Sequence, residues 1–146
     1  MSNASHSPAS ICVAGCGHWG KNLVRNFHQL GRLGGFFDAS AERLAHFGST
    51  YPEAKPFASF EAALADPSIN AVAIATPAEW HARMAIAALD AGKDAFVEKP
   101  LALDVAEAGE ICRVAEASRL ILMVGHLVLY HPGFLALERM VKEGRL

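Results

Sequence analysis

The sequence has few charges, and it has neither a basic run nor a long hydrophobic one. Charged residues make up 19% of the 146 residues, and the net charge is −2. Without a basic cluster, nucleic acid has no electrostatic footprint to bind, so we expect no nucleic-acid partner. The longest apolar stretch, "LILMVGHLVLY" at 120–130, is interrupted by Gly125 and His126 and is too short to span a bilayer. We therefore expect no membrane partner.

Cysteine is also scarce, with three residues, Cys12, Cys16 and Cys112. Their spacing fits neither a disulfide framework nor a zinc site, so we expect no metal and interpret all three as small core residues. The polar start "MSNASHSPAS" is unlike a signal peptide, and these features together favour a cytoplasmic location. Residues 1–9 are predicted to be a disordered tail or a cloning remnant.

Hydrophobic residues are abundant, at 52%, and the length suits one domain with its own core. From residue 10 onward, apolar runs alternate with segments of helical periodicity. This alternation predicts an α/β fold, a doubly wound parallel sheet, over residues 10–146. The predicted strands are 10–15, 33–39, 54–57, 71–76, 94–98 and 120–126. The predicted helices are 19–30, 40–48, a segment capped by Ser59, 78–91, a segment begun by Asp104, and 132–143.

The first strand leads into the glycine loop "AGCGHWG", in which Gly15, Gly17 and Gly20 form G-x-G-x-x-G. Such glycines permit a tight turn, close approach of a pyrophosphate, and packing of helix on strand. Asp38 ends the second predicted strand, where a carboxylate accepts hydrogen bonds from ribose and repels a 2′-phosphate. We therefore predict NAD as the cofactor, although the nearby Arg43 would favour NADP. The alternative is an ordinary glycine turn and loop aspartate.

Two further segments end predicted strands on the same edge of the sheet. In "ATPAEWH", Thr76 and Pro77 follow the fourth strand, and His81 begins the next helix, where it could be a cofactor-side residue or a polar residue on the helix surface. In "AFVEKPL", Glu98 and Lys99 end the fifth strand. They could be a solvated strand end, or a lysine placed for proton transfer beside nicotinamide, with a glutamate that holds the ribose or orients the lysine.

The segments "AGCGHWGKN", "ATP…H", "VEKPLA" and "VGH…HPGF" resemble, in order and spacing, those of the Gfo/Idh/MocA oxidoreductases. The resemblance covers residues 10–146 and implies an N-terminal dinucleotide-binding Rossmann domain of an NAD(P)-dependent dehydrogenase acting on sugars, cyclitols or nucleotide sugars. It implies that Lys99 is catalytic, that Glu98 lies near the nicotinamide ribose, and that Lys99–Pro100 is a cis peptide. The expected cofactor-binding residues are Gly15, Gly17, His18, Trp19, Gly20, Asp38, Ala39, Ser40, Arg43, Thr76, Pro77, His81, Glu98, Lys99 and Pro100.

On the substrate side, the resemblance suggests His126, Tyr130 and His131, each of which could equally be structural. It also implies a C-terminal substrate domain that this sequence does not contain. We therefore expect the chain to bind NAD without turnover, and to form a homo-oligomer through the apolar face of its last helix, which carries Phe134, Leu137, Met140 and Val141. The alternative is a non-catalytic NAD-binding sensor or scaffold module. A P-loop protein is disfavoured, since the loop lacks the Gly-Lys-Ser/Thr ending.

Overall fold

A computed structural model describes residues 10–146, and the prediction for residues 1–9 lies outside the described residues. Six parallel strands form one sheet in the order β3-β2-β1-β4-β5-β6. This is the strand order of a doubly wound dinucleotide-binding fold, so the predicted fold class is confirmed. The strands are β1 Ile11–Ala14, β2 Leu33–Phe37, β3 Lys55–Pro56, β4 Ala71–Ile74, β5 Asp94–Val97 and β6 Leu122–Val124.

Six α-helices connect or follow the strands, and short 3₁₀ turns at Ala78–Trp80 and Leu127–Tyr130 precede the fourth and sixth of them. The helices are α1 Gly20–Gln29, α2 Ala41–Thr50, α3 Phe60–Ala65, α4 His81–Asp90, α5 Val105–Ser118 and α6 Pro132–Lys142. Along residues 10–146 the structure contains no helix long and apolar enough to cross a membrane.

The core lies on both faces of the sheet because alternate residues of each strand point in opposite directions. In β4, Val72 and Ile74 belong to one buried cluster, whereas Ala73 belongs to the cluster on the other face. All three are fully buried. This explains the unbroken apolar sequence of the central strands, which have no solvent-facing side.

Side-chain caps fix the starts of three helices at the predicted residues. The Ser40 and Ser59 hydroxyls accept hydrogen bonds from the backbone N–H groups of Arg43 and Ala62 at 3.3 and 3.1 Å. Asp104 caps α5 through the N–H of Ala106 at 2.6 Å. Each cap satisfies a backbone donor that the helix itself leaves without a partner.

One core prediction is wrong. Cys12 and Cys16 are buried, as predicted, but Cys112 is exposed on α5. Its neighbour Ile111 and the next-turn residue Ala115 face the core instead. A one-residue step along a helix rotates the side chain by about 100°, so adjacent small apolar residues can lie on opposite faces.

Candidate functional site

A cavity of about 800 Å³ opens at the carboxyl edge of the sheet. The strand order reverses between β1 and β4, which are neighbours in the sheet although two strands separate them in sequence. Ligands of open α/β sheets bind at such a switch point. The cavity is lined by Gly15, Gly17, His18, Phe37, Asp38, Ala39, Arg43, Ala58, Ser59, Phe60, Glu61, Ala75, Thr76, Pro77, Trp80, Arg83, Met84 and Ala87.

The three loop glycines have different physical reasons. Gly15 has φ +89°, and a Cβ there would lie 2.8 Å from the backbone of Ala75 and Thr76. A Cβ on Gly20 would lie 1.7 Å from the carbonyl oxygen of Gly15, so the helix start can approach the strand only without a side chain. A Cβ on Gly17 would meet no atom within 4 Å, and Gly17 lines the cavity. Its missing side chain leaves space for a ligand.

The start of α1 is open to an anion. Its N-cap residue, Trp19, makes no side-chain capping bond, and the first turn contains no acidic residue. The helix dipole and the first-turn N–H groups favour negative charge at such a position. The neighbouring His18 is exposed and lines the cavity.

Asp38 is held rigidly at the cavity. Its Oδ2 accepts a hydrogen bond from the N–H of Cys16 at 2.7 Å, and its Oδ1 accepts from the N–H of Ser40 at 2.8 Å and from Nε of Arg43 at 3.0 Å. Burial raises the pKa of this carboxyl, but the hydrogen bonds from Arg43, Ser40 and Cys16 outweigh it and hold the pKa below its ordinary value. The group is therefore a carboxylate at neutral pH. Ala39 beside it also lines the cavity.

Arg43 forms an ion pair with Asp38 and is itself partly exposed to solvent. Its Nη2 lies 3.0 Å from Oδ1 of Asp38, while its side chain stays half exposed. The guanidinium thus occupies one side of the carboxylate and lies in the cavity wall. A ribose that uses both Asp38 oxygens must compete with this contact, because Oδ1 already accepts from two donors.

The middle loop borders the cavity through Thr76 and Pro77. The Thr76 hydroxyl lies 3.5 Å from the sulfur of Met84. His81 is only 1% exposed, so its interpretation as a surface residue is wrong. Its Nδ1 lies 2.7 Å from the carbonyl oxygen of Pro100 and its Nε2 lies 2.9 Å from that of Thr76. The imidazole therefore joins the middle loop to the corner after β5.

The corner after β5 contains a buried acid and an exposed base. Glu98 is 6% exposed, whereas Lys99 and Pro100 are exposed. The Lys99–Pro100 peptide is cis, as predicted. Oε1 of Glu98 accepts a hydrogen bond from the indole Nε1 of Trp19 at 2.5 Å, which connects this corner to the glycine loop. Neither Glu98 nor Lys99 lines the 800 Å³ cavity, which stops at Thr76 and Pro77 on that side.

The three residues assigned to the substrate side lie apart from the cavity. His126 and Tyr130 are exposed around the 3₁₀ turn after β6. His131 is the N-cap of α6, where its Nδ1 accepts a hydrogen bond from the N–H of Gly133 at 3.1 Å. Within residues 10–146 a structural role is therefore observed for His131.

The outer wall of the cavity was not predicted from the sequence. It comes from the start of α3 and from α4, and the guanidinium of Arg83 lies 5.8 Å from the ring centre of Trp80. The signal available in the sequence was Trp80, an aromatic residue between the fourth strand and the helix that follows it. The lining residues that were missed are Phe37, Ala58, Ser59, Phe60, Glu61, Ala75, Trp80, Arg83, Met84 and Ala87.

The buried thiols under the loop are unreactive. Burial, and to a smaller extent the charge of Asp38, raise the pKa of Cys16 to about 12. The thiolate is the nucleophile and the metal ligand, so this sulfur serves as packing. No group of His, Cys, Asp and Glu residues that could hold a metal ion occurs in the described part of the chain.

Comparison with known proteins identifies the class. A family model described as an oxidoreductase family with an NAD-binding Rossmann fold, Gfo/Idh/MocA, matches residues 9–126. The chain belongs to this family, which confirms the resemblance read from its motifs. Nicotinamide dinucleotide binding is a property of the matched domain.

Three known proteins illustrate what this chain is similar to. UDP-N-acetylglucosamine 3-dehydrogenase of Acidithiobacillus ferrooxidans is 35% identical over 120 residues, which are 82% of this chain and 37% of the relative. Its solved structure has a TM-score of 0.82 over 89% of this chain and 42% of that one. A 3-ketoreductase from Actinomadura kijaniata, in complex with TDP-benzene and NADP, has a TM-score of 0.86 at 26% identity, over 94% and 45% of the two chains.

Biliverdin reductase from Synechocystis, in complex with biliverdin and NADP+, has a TM-score of 0.85 at 30% identity over 93% of this chain and 43% of that one. The chain thus spans about two fifths of the length of these relatives.

Proposed function

We propose that the chain is the cofactor-binding part of a dehydrogenase that transfers a hydride between nicotinamide and a secondary alcohol carbon of a sugar, cyclitol or nucleotide sugar. The observation that carries this proposal is that two segments distant in sequence, the glycine loop and the corner after β5, meet at one site. The glycine loop and Asp38 line the cavity, and Trp19 of that loop contacts Glu98, the residue before Lys99. A dinucleotide extends across β1 from one side to the other.

The residues fit the cofactor in charge and in shape. Asp38 is a carboxylate and accepts ribose hydroxyls, the space at Gly17 admits a pyrophosphate, and the uncapped start of α1 favours its charge. When bound, nicotinamide supplies the hydride chemistry, and the protein supplies position and electrostatics.

Lys99 is the proposed catalytic residue. It is exposed at the end of β5, and the amine is held on a corner whose backbone is fixed by Glu98 N–H bonding to Ile74 at 2.9 Å. From there the side chain would hold the substrate hydroxyl and take part in its proton transfer. The substrate class is supported by the relatives, two of which are a UDP-N-acetylglucosamine dehydrogenase and a 3-ketoreductase complexed with a TDP compound.

NAD is the proposed cofactor in preference to NADP. Both oxygens of Asp38 face donors at the cavity, and a 2′-phosphate beside this buried carboxylate would be repelled. Arg43 opposes the preference, since it could turn from Asp38 to a phosphate. Calorimetric titration with NAD and NADP tests this, and the Asp38→Ala variant should narrow the difference. Equal or tighter binding of NADP by the unmodified chain would contradict the preference.

The activity test separates binding from turnover. The 146-residue chain should give an NAD binding isotherm but no NADH above blank with sugars, cyclitols and nucleotide sugars. Orientation of the substrate supplies much of an enzyme's acceleration, and Lys99 lies on an open surface where water weakens each contact. Turnover that disappears in Lys99→Ala would contradict this expectation and would show that the chain suffices.

The alternative is a non-catalytic NAD-binding sensor or scaffold module. A longer protein that binds NAD but shows no dehydrogenase activity on these substrates would favour it. A cytoplasmic location and self-association are parts of the same proposal. Cys12, Cys16 and Cys112 are free thiols, as a reducing compartment permits.

A further inference from the structure

The contact between Trp19 and Glu98 joins two parts of the site that a dinucleotide would have to cross. We call Gly15, Gly17 and Asp38, over β1 and β2, the first half of the site. The second half, over β4 and β5, comprises Thr76, Glu98 and Lys99. In a doubly wound sheet the two mononucleotide units of a dinucleotide lie over these two halves.

We propose that the indole of Trp19 and the second ribose of a dinucleotide compete for the Glu98 carboxylate, so that the ribose displaces the indole when the dinucleotide binds. The inference rests on the proposed function, because it requires that a dinucleotide binds here. It makes Trp19 a residue that determines how tightly the second half of the ligand is held.

The Glu98 carboxylate is well placed to exchange one donor for another. It is 6% exposed and takes a hydrogen bond from the indole on Oε1, whereas its Oε2 has only a weak contact of 3.4 Å with the N–H of Lys99. A buried carboxylate with spare acceptor capacity gains from further donors, and ribose hydroxyls are such donors.

The Glu98 carboxylate packs closely against the backbone that follows β6. A Cβ on Gly125 would lie 3.0 Å from Oε2 and 3.1 Å from Oε1 of Glu98, so the carboxylate lies directly over the backbone of β6's end. The N–H of Glu98 is bonded to Ile74 and that of Gly125 to Val97. The backbone on both sides of the carboxylate is therefore fixed, and the exposed indole is the partner with more room to move.

Trp19 has solvent beside it. The residue is 43% exposed, and its side chain does not cap α1. Its backbone lies at the helix start with φ −93° and ψ −43°, so a side-chain rotation leaves the glycine loop intact. The cavity lining ends at His18 on this side and, among residues 10–146, includes neither Trp19 nor Glu98. The Glu98 carboxylate is thus occupied by the indole, whereas Asp38 and Thr76 border the open cavity.

The two tryptophans of the chain give a direct test, since Trp80 lines the open cavity and Trp19 contacts Glu98. In ¹⁵N-labelled protein the indole N–H signals report on each. ADP, which lacks a second ribose, should move only the Trp80 signal. ADP-ribose and NAD should move both, with the Trp19 signal shifting in the direction in which Glu98→Ala moves it without ligand.

Affinity gives the second readout. Trp19→Phe keeps the aromatic ring and removes the donor, so it should tighten ADP-ribose and NAD by about fivefold and leave ADP unchanged. A Trp19 signal that ADP-ribose leaves in place would overturn the proposal, as would weaker binding of ADP-ribose by Trp19→Phe or an equal change for ADP. If neither ADP nor NAD binds the unmodified chain, the proposed function itself fails, which distinguishes the two.

Discussion

The centre of the sheet and its β6 edge differ in how far their apolar side chains are buried. In β1 and β4 every residue after the first is buried, and α4 buries six of its ten residues. In β6 no residue is fully buried, and α6 has no buried residue, although it contains Phe134, Leu137 and Val141. Both helices are amphipathic in sequence, but only α4 has other elements covering its apolar face.

The difference shows that apolar periodicity in a sequence predicts which face of a helix is apolar. It does not by itself predict that this face is buried. Stabilisation comes from apolar area removed from water, at about 25 cal/mol per Å². The apolar residues of α4 contribute this free energy to folding. Those of α6 remain exposed and would contribute it only if another surface covered them. The comparison can be tested by substitutions placed in each region.

The largest contrast is expected for the same substitution in the two helices. Leu89→Ala in α4, where the side chain is 1% exposed, should lower the free energy of unfolding by about 3 kcal/mol, because it leaves a cavity in the core. Leu137→Ala in α6, where the side chain is 49% exposed, should change it by less than about 0.5 kcal/mol. Urea unfolding measures both, and similar losses would contradict the division into two regions.

A comparable contrast is expected between two glycines. Gly20→Ala should cost about 3 kcal/mol, because its Cβ would overlap the Gly15 carbonyl oxygen and force the helix away from the strand. Gly109→Ala, in the middle of α5 with no atom within 4 Å of the added Cβ, should stabilise by about 0.5–1 kcal/mol. Equal effects in urea unfolding would show that the close approach at Gly20 is not required.

Much of this arrangement was predictable from local sequence. The six strands, the capping residues Ser40, Ser59 and Asp104, and the glycine loop all depend on neighbours within a few positions. Strand ends were predicted too long, as in β6, which spans Leu122–Val124 where 120–126 was predicted. Apolar residues continue past the point where strand pairing stops, so composition alone does not mark that end.

The contacts between distant segments were not predictable in the same way. Trp19 meets Glu98 and His81 meets Pro100 because the sheet order brings the ends of β1, β4 and β5 together. A single sequence contains no local signal for either pairing. The outer wall formed by Phe60, Trp80 and Arg83 has the same origin. The position of the site was thus predictable, while its internal hydrogen bonds required the fold.

A smaller effect on stability is expected from pH, and it arises from the buried Asp38. Hydrogen bonds from Arg43, Ser40 and Cys16 hold the pKa of Asp38 below its ordinary value despite burial. The stability that Asp38 contributes is therefore complete above the pKa of an unfolded aspartate, and it is lost as the pH falls through the lower folded value. Urea unfolding at several acidic pH values should show a steeper loss in the unmodified chain than in Asp38→Asn.

Asp66 provides the control for that experiment. Its pKa is also lowered, chiefly by Lys55 and then by Ser68, but it lies away from the cavity at the start of a turn before β4. Asp66→Asn should reduce the acid-dependent loss independently, and the double variant should show the sum of the two changes. A pH dependence that Asp38→Asn leaves unaltered would show that the carboxylate contributes nothing to folding.

The smallest effect on the fold, and the one that most directly tests the exposed side, is self-association through α6. Phe134, Leu137 and Val141 are 36%, 49% and 56% exposed and recur at helical spacing, which gives a continuous apolar stripe. Two such stripes can bury each other, so light scattering should show a weak dimer whose population rises with protein concentration.

Leu137→Glu should abolish this dimer and leave the urea midpoint at dilute concentration unchanged, because the side chain is outside the core. The matched change Lys142→Glu, on a polar position of the same helix, should leave the dimer in place if apolar contact is its cause. A strict monomer at high concentration, or a dimer insensitive to Leu137→Glu, would assign the exposed stripe no part in association.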